Sequence, residues 1–297
     1  MARADAEGAR TYEALLRRAE DDPAILALWL GGSRGMGRAT EHSDWDIWLV
    51  AADDAIERLR AELGMASLAQ MAWRPGVDLI LTTLGELERL DVSASNSNGR
   101  SHMFAHLNAL VDKTGEAQRL IDAKARIPAA ELPGVIHAAL DHALNQAYRA
   151  LKCLRDGDAG ASRLEAAEGV NPFLDAAFAL HDGRLRPYYK YLRWELDTWP
   201  LTQLPDGGAG LVDRALAVLG PDGGAPLSAL LAETHAAFRA AGHGAAYDGW
   251  GEVLDWILTG RSDARLESAE LAADAGHSDR WGTAFAVAKG ALVHGHR

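Results

Sequence analysis

An apolar hexad, Ile25 to Leu30, runs straight into Gly31-Gly32-Ser33. Eleven residues after that serine the chain reads Asp44-Trp45-Asp46, at the mouth of a second apolar run, Ile47 to Val50. Six apolar residues closed by a glycine pair suit a buried strand that stops in a tight turn. Asp46 to Val50 then reads as the next strand. Side chains at i and i+2 of a strand face the same way. Asp44 and Asp46 therefore present two carboxylates on one face, with Trp45 and Ile47 on the other. A third acid, Asp78, stands alone among apolar neighbours in Gly76-Val77-Asp78-Leu79-Ile80-Leu81. A buried, unpaired carboxylate is costly. Convergence of all three acids on one cation site removes that cost, and oxygen ligands of this kind suit Mg2+.

Two common phosphate-binding motifs are excluded. A P-loop needs Gly-Lys-Ser/Thr after its glycines, and this segment has no lysine. A dinucleotide fingerprint needs glycines at the first, third and sixth positions; from Gly31 the third is Ser33, and from Gly35 the sixth is Thr40. What remains is a glycine pair that lets backbone approach a phosphate, a serine hydroxyl to donate to it, and Arg34 and Arg38 close by. Each acid taken singly also reads as a turn, capping or ion-paired residue. The combination and its spacing carry the catalytic reading.

Around this segment the chain alternates helix and strand signals. Thr11 to Glu20 reads as a helix stopped by Asp22-Pro23. Ala55 to Leu63 reads as a helix with Asp53-Asp54 at its start, Val77 to Thr82 as a third strand, and Gly85 to Leu90 as a short helix. Residues 91–100 are a polar, turn-rich loop. Met103 to Val111 reads as a further strand, though a helix fits about as well. From Ile127-Pro128 onward alanine and leucine recur at three- and four-residue spacing. Val135 to Arg155, Ser162 to Leu180 and Pro187 to Trp199 read as helices, with more out to Leu258 and a last one at Trp281 to Val293. The expected fold class is α+β: an α/β domain with a mixed sheet over residues 1–127, then an all-helical domain over 128–297.

The pattern of Gly32-Ser33, Asp44, Asp46 and Asp78 resembles the nucleotidyltransferase superfamily typified by DNA polymerase β, in its bacterial branch of antibiotic nucleotidyltransferases. The resemblance covers residues 22–82, and more loosely the helical remainder. It implies transfer of a nucleoside monophosphate from an NTP to an acceptor hydroxyl, with release of pyrophosphate. It further implies that Asp44, Asp46 and Asp78 are catalytic and hold Mg2+, as two ions. Gly32, Ser33 and Arg34 would bind the nucleotide, joined by the basic residues Lys152 and Lys190 from the helical part. The acceptor would be a small hydroxylated molecule of aminoglycoside type. A protein or RNA partner, as in toxin–antitoxin enzymes, and a non-catalytic nucleotide sensor remain as alternatives.

Other residues carry weaker signals. His142, Asn145, Arg149 and Lys152 fall on one helical face, which suits either a phosphate-lining stripe or a solvated surface. Tyr188, Tyr189, Tyr191, Trp194 and Trp199 are aromatic at a density more typical of core than of a base or acceptor pocket. Glu165 and Glu168 are the helical-domain acids available as a general base. His102 and His106 are four apart with no third ligand apparent, and read as structural histidines. His294-x-His296 reads as a frayed tail.

Composition sets outer limits. A formal net charge of −12 argues against bulk nucleic-acid binding, which needs dense Lys and Arg. A single cysteine, Cys153, rules out an intrachain disulfide and a cysteine-based zinc site, and reads as a buried inert thiol. The start of the chain has no apolar leader and no apolar run is long enough to span a bilayer, so the expected location is the cytoplasm, with no membrane partner. The sequence leaves the oligomeric state open.

Overall fold

The computed structural model describes residues 2–90, 101–220 and 223–260. The 91–100 loop, the Trp281 to Val293 helix and the His294-x-His296 tail lie outside these residues. The described chain is α+β: a five-stranded mixed sheet and twelve α-helices. It divides into two compact units. Of the described residues, the first comprises those within Met1–Leu132 and His181–Glu195, the second those within Pro133–Leu180 and from Leu196 onward.

In the first unit, α1 (Ala2–Asp21) leads into β1 (Ile25–Leu30) and the single turn α2 (Gly32–Gly35). Next come β2 (Trp45–Ala51), α3 (Ile56–Glu62), β3 (Ala69–Arg74), β4 (Val77–Thr83), α4 (Leu84–Arg89), β5 (Ala109–Asp112) and α5 (Glu116–Lys124). The sheet order is β3-β4-β2-β1-β5, with β2 and β4 parallel and the other neighbours antiparallel. Strand alternation assigns each face its core. Ile47, Leu49, Val77, Leu79 and Leu81 pack with Leu15 and Ala19 of α1 and Leu59 of α3. On the opposite face Trp29 and Val50 pack with Leu87, Phe104, Leu120 and Ile121. Burial of this kind stabilises by roughly 25 cal/mol per Å² of apolar surface, which is why the two apolar runs flanking the glycine turn become central strands.

Helix α4 opens on a capping box: Thr83 accepts from the Glu86 backbone N–H, and Glu86 reaches back to the Thr83 N–H. That reciprocal pair satisfies two orphan donors of the first turn.

Several elements differ from the sequence reading. Met103 to Val111 is not one strand. A 3-10 turn spans Ser101–Phe104, His106 takes a left-handed φ of 62°, and only Ala109–Asp112 pairs with β1. Burying Phe104 and Leu107 in the same cluster requires the chain to turn between them. The 181–195 segment, read as part of the helical domain, packs in the first unit. Its helix, α8, starts at Tyr189 rather than Pro187, after α6 and α7 have intervened. Arg126 and Arg184 form a β-bridge, and the Ile127 N–H donates to the Gly183 carbonyl at 2.8 Å. Strand β3 and helix α5 carry no signal in the sequence reading.

The second unit contains α6 (Leu132–Arg155), α7 (Ala159–Ala179), the end of α8 (Tyr189–Thr198), α9 (Leu211–Ala217), α10 (Gly224–Ala240), α11 (Ala245–Asp248) and α12 (Val253–Thr259). Cys153 on α6 is only partly buried; that burial pushes its thiol up, and nearby acids reinforce the shift. Among the described residues no helix is long and apolar enough to cross a membrane.

Candidate active site

The parallel pairing of β2 and β4 sets Asp46 directly beside Asp78 in register. Both fall on the sheet face opposite to Ile47, Leu79 and the α1 core, as the alternation of period two requires. Asp44 precedes β2 by one residue. Each of the three acids offers an oxygen, and these oxygens all lie within 4.8 Å of one another. Asp78 is buried, at 8% exposure. Its Oδ1 accepts a 2.6 Å hydrogen bond from the Ala72 N–H, a donor supplied by a bulge in β3 where Ala72 adopts a φ of 49°.

Three carboxylates this close repel. Burial first, then the charges of Asp44 and Asp78, push Asp46 up to about 6, while Lys190 pulls it down. Lys190 lies on α8, exposed, with its Nζ 4.7 Å from the Tyr191 ring centroid.

The glycine turn is built against Asp46. Gly32 has a φ of 52°, and a Cβ there would land on Asp46 Oδ2 and 3.0 Å from its Cγ. The Gly31 N–H donates to the Asp46 carbonyl at 2.7 Å. Only glycine permits both the left-handed backbone and the approach. Ser33, also buried, donates from Oγ to Ser43 Oγ at 2.8 Å, and Ser43 Oγ in turn accepts from the Thr40 N–H. Arg34 donates from Nε to the Asp44 carbonyl at 2.9 Å and from Nη2 to the Ser43 carbonyl at 2.8 Å. Its guanidinium lies 4.0 Å over the Trp45 ring. Arg34 thus holds the backbone that carries Asp44.

The structure therefore gathers Gly32, Ser33, Arg34, Asp44, Asp46 and Asp78 at the start of β2 and β4, with Lys190 in electrostatic range. Lys152 is on α6 in the second unit, its Nζ 5.1 Å from the Tyr148 ring centroid. Along that helix Asn145 is buried, and Arg149 pairs with Glu165 at 2.7 Å. Of the aromatic group, Tyr191 is buried, while Tyr188, Tyr189 and Trp199 are exposed. Sequence reasoning missed Ser43, Ala72 and Glu195. Ser43 lies in the loop between Ser33 and Asp44 and could have been found as a polar residue beside Asp44; the other two carry no local signal.

No protein-family model matches the sequence, and no curated protein matches it. Among solved structures, the crystal structure of a nucleotidyltransferase-like protein from Exiguobacterium sibiricum is similar over 83% of this chain and 79% of that one, at 11% identity and a TM-score of 0.41. A likeness at that level assigns no activity to this chain.

Proposed function

We propose that this chain transfers a nucleoside monophosphate from a nucleoside triphosphate to an acceptor hydroxyl, releasing pyrophosphate, with Mg2+ held by Asp44, Asp46 and Asp78. One observation carries the reading: three carboxylates from two parallel strands converge within 4.8 Å, beside a glycine turn that only glycine can make. Burial and the two neighbouring carboxylates outweigh the pull of Lys190 on Asp46, which fits a divalent cation with oxygen ligands. Bound there, a pair of such ions supplies charge neutralisation for the attacking and leaving oxygens.

The chain's own residues bind and orient. The half-buried backbone at Gly32 and the Ser33 hydroxyl, redirected from Ser43, donate to phosphate oxygens. Lys190 adds positive charge beside them. Arg34 and the Ala72 N–H hold Asp44 and Asp78 in position. The acceptor oxygen bonds to the α-phosphorus as the bond to the pyrophosphate oxygen breaks, and Asp78 takes the hydroxyl proton. Catalysis here is mainly positioning and electrostatics. The net charge of −12 favours a cationic hydroxylated acceptor of aminoglycoside type and disfavours RNA.

Thermal unfolding of wild type and Asp46→Asn with each NTP, with and without Mg2+, tests the site. Ligand at a hundred times its Kd stabilises by about 2.7 kcal/mol. A Mg2+-dependent shift present in wild type and missing from the variant is expected, followed by pyrophosphate release once an acceptor is supplied. Identical behaviour of the two proteins would remove the proposal.

A further inference from the structure

A second group of ligand-type side chains lies in the first unit, apart from the three acids. His102 sits in the 3-10 turn and His106 just beyond it, at the left-handed corner of the chain. Both face Glu195 on α8. His106 Nε2 is 3.0 Å from Glu195 Oε2 and 3.1 Å from Oε1, and His102 Nε2 is 3.4 Å from Oε2. One ligand atom from each of the three residues lies within 4.8 Å of the others. Arg184 Nη2 binds Glu195 Oε1 at 2.7 Å, which fixes the carboxylate with Oε2 toward the imidazoles.

A purely ionic reading leaves this cluster incomplete. His102 is 1% exposed; among the described residues its Nδ1 has no hydrogen-bond partner, and its Nε2 has the 3.4 Å approach to Glu195 without hydrogen-bond geometry. A buried polar group without a partner is expensive. The two rings stand 64° apart with centroids 5.7 Å from each other, so the histidines are not stacked. Their Nε2 atoms instead converge on one oxygen.

We propose that His102 Nε2, His106 Nε2 and Glu195 Oε2 form a second metal site, for Zn2+ or a similar late first-row divalent ion. Zinc bonds nitrogen and oxygen at about 2.0–2.1 Å, so tetrahedral ligand atoms sit roughly 3.3–3.4 Å apart. The two imidazole-to-carboxylate distances, 3.0 and 3.4 Å, straddle that spacing. Two imidazoles and one carboxylate suit zinc over magnesium, which separates this site from the all-oxygen acid cluster. Arg184 is the outer partner that orients the carboxylate. Three protein ligands leave a fourth position for water, and the His106 side chain, 27% exposed, gives solvent a way in. Occupancy would clasp α8, which also carries Lys190, to the loop after the 3-10 turn. The site is independent of the nucleotidyl-transfer reading.

The test uses the full chain, stripped with a chelator and titrated with Co2+, whose visible absorption reports four-coordination, and with Zn2+ against a chromogenic chelator. Three proteins are compared: wild type, the double variant Asp44→Asn/Asp46→Asn, and His106→Asn. Asparagine tolerates the positive φ at this position, and circular dichroism checks the fold. One tight equivalent with a four-coordinate spectrum is expected in wild type and in the double variant. His106→Asn should bind at least about a hundredfold more weakly. X-ray absorption of zinc-loaded wild type, which needs no variant, should show imidazole in the first shell. An absent spectrum in wild type, equal affinity in His106→Asn, loss in the double variant, or an all-oxygen shell would each overturn the proposal.

Discussion

Burial and the neighbouring carboxylates of Asp44 and Asp78 push Asp46 up to about 6, against a partial pull from Lys190. The unfolded chain holds an aspartate near 3.9, so the native state is the stronger proton binder. Stability from this group is complete below the unfolded value and is lost as pH rises through about 6. Metal-free protein should therefore lose melting temperature between pH 5 and pH 7, and Asp46→Asn should not. At pH 7.5 in chelator the variant should be the more stable protein, on the order of 1–2 kcal/mol after solvent screening. A variant less stable than wild type at every pH would contradict this. The same charge balance makes Gly32 a sensitive position. Gly32→Ala combines a strained φ of 52° with a methyl driven into the Asp46 carboxylate, whereas Gly37, at 67°, has nothing within 4 Å of a new Cβ. Gly37→Ala should cost about 1 kcal/mol of backbone strain and leave Mg2+ binding intact. Gly32→Ala should cost more and weaken Mg2+ binding, which isothermal titration of the two variants would separate.

At the scale of elements, the bulge in β3 delivers a single backbone N–H, that of Ala72, to Asp78. The residue is held at a φ of 49° to do so. Ala72→Gly relieves the strain but loosens the unfolded chain, and the two effects should cancel to within about 1 kcal/mol. Ala72→Val places a branched side chain in the same conformation and should cost about 1–3 kcal/mol. Denaturant melts should show that order, with divalent-cation binding weakened only in the valine variant; equal stabilities would mean the bulge is not held in this conformation in solution. The bulge also explains why β3 was invisible in the sequence. Ala69–Arg74 is an edge strand with no fully buried residue, so it carries no alternation to read. Strands β1, β2 and β4 are buried and bounded by glycine, aspartate and threonine, and their ranges follow from the apolar runs alone. The acid cluster was legible for the same reason: a lone aspartate in an apolar strand has few explanations. The partnership of His102 and His106 with Glu195 was not, because it joins residues 89 positions apart and periodicity reports only local spacing.

For the whole molecule, the texture of the sequence reported helix content but not which core each helix joins. The 181–195 segment looks like its helical neighbours, yet Ile127, Arg126, His106 and Glu195 tie it into the sheet-bearing unit. That return places Lys190 in range of Asp46, so the unit with the acids also holds a cation that a boundary near residue 127 would have separated from them. Against that local positive charge stands a chain whose formal charge is −12. An acidic surface draws in a polycationic acceptor, and salt screens that attraction with a Debye length of about 10 Å at 0.1 M. On the proposed activity, kcat/KM for a cationic hydroxylated acceptor should fall several-fold between 50 and 300 mM NaCl, mainly through KM. An uncharged polyol acceptor should show little change, because no long-range term steers it. Initial rates of pyrophosphate release across a salt series, with Mg2+ and NTP saturating, measure both. A cationic acceptor as indifferent to salt as the neutral one would mean that the acidic surface takes no part in acceptor selection.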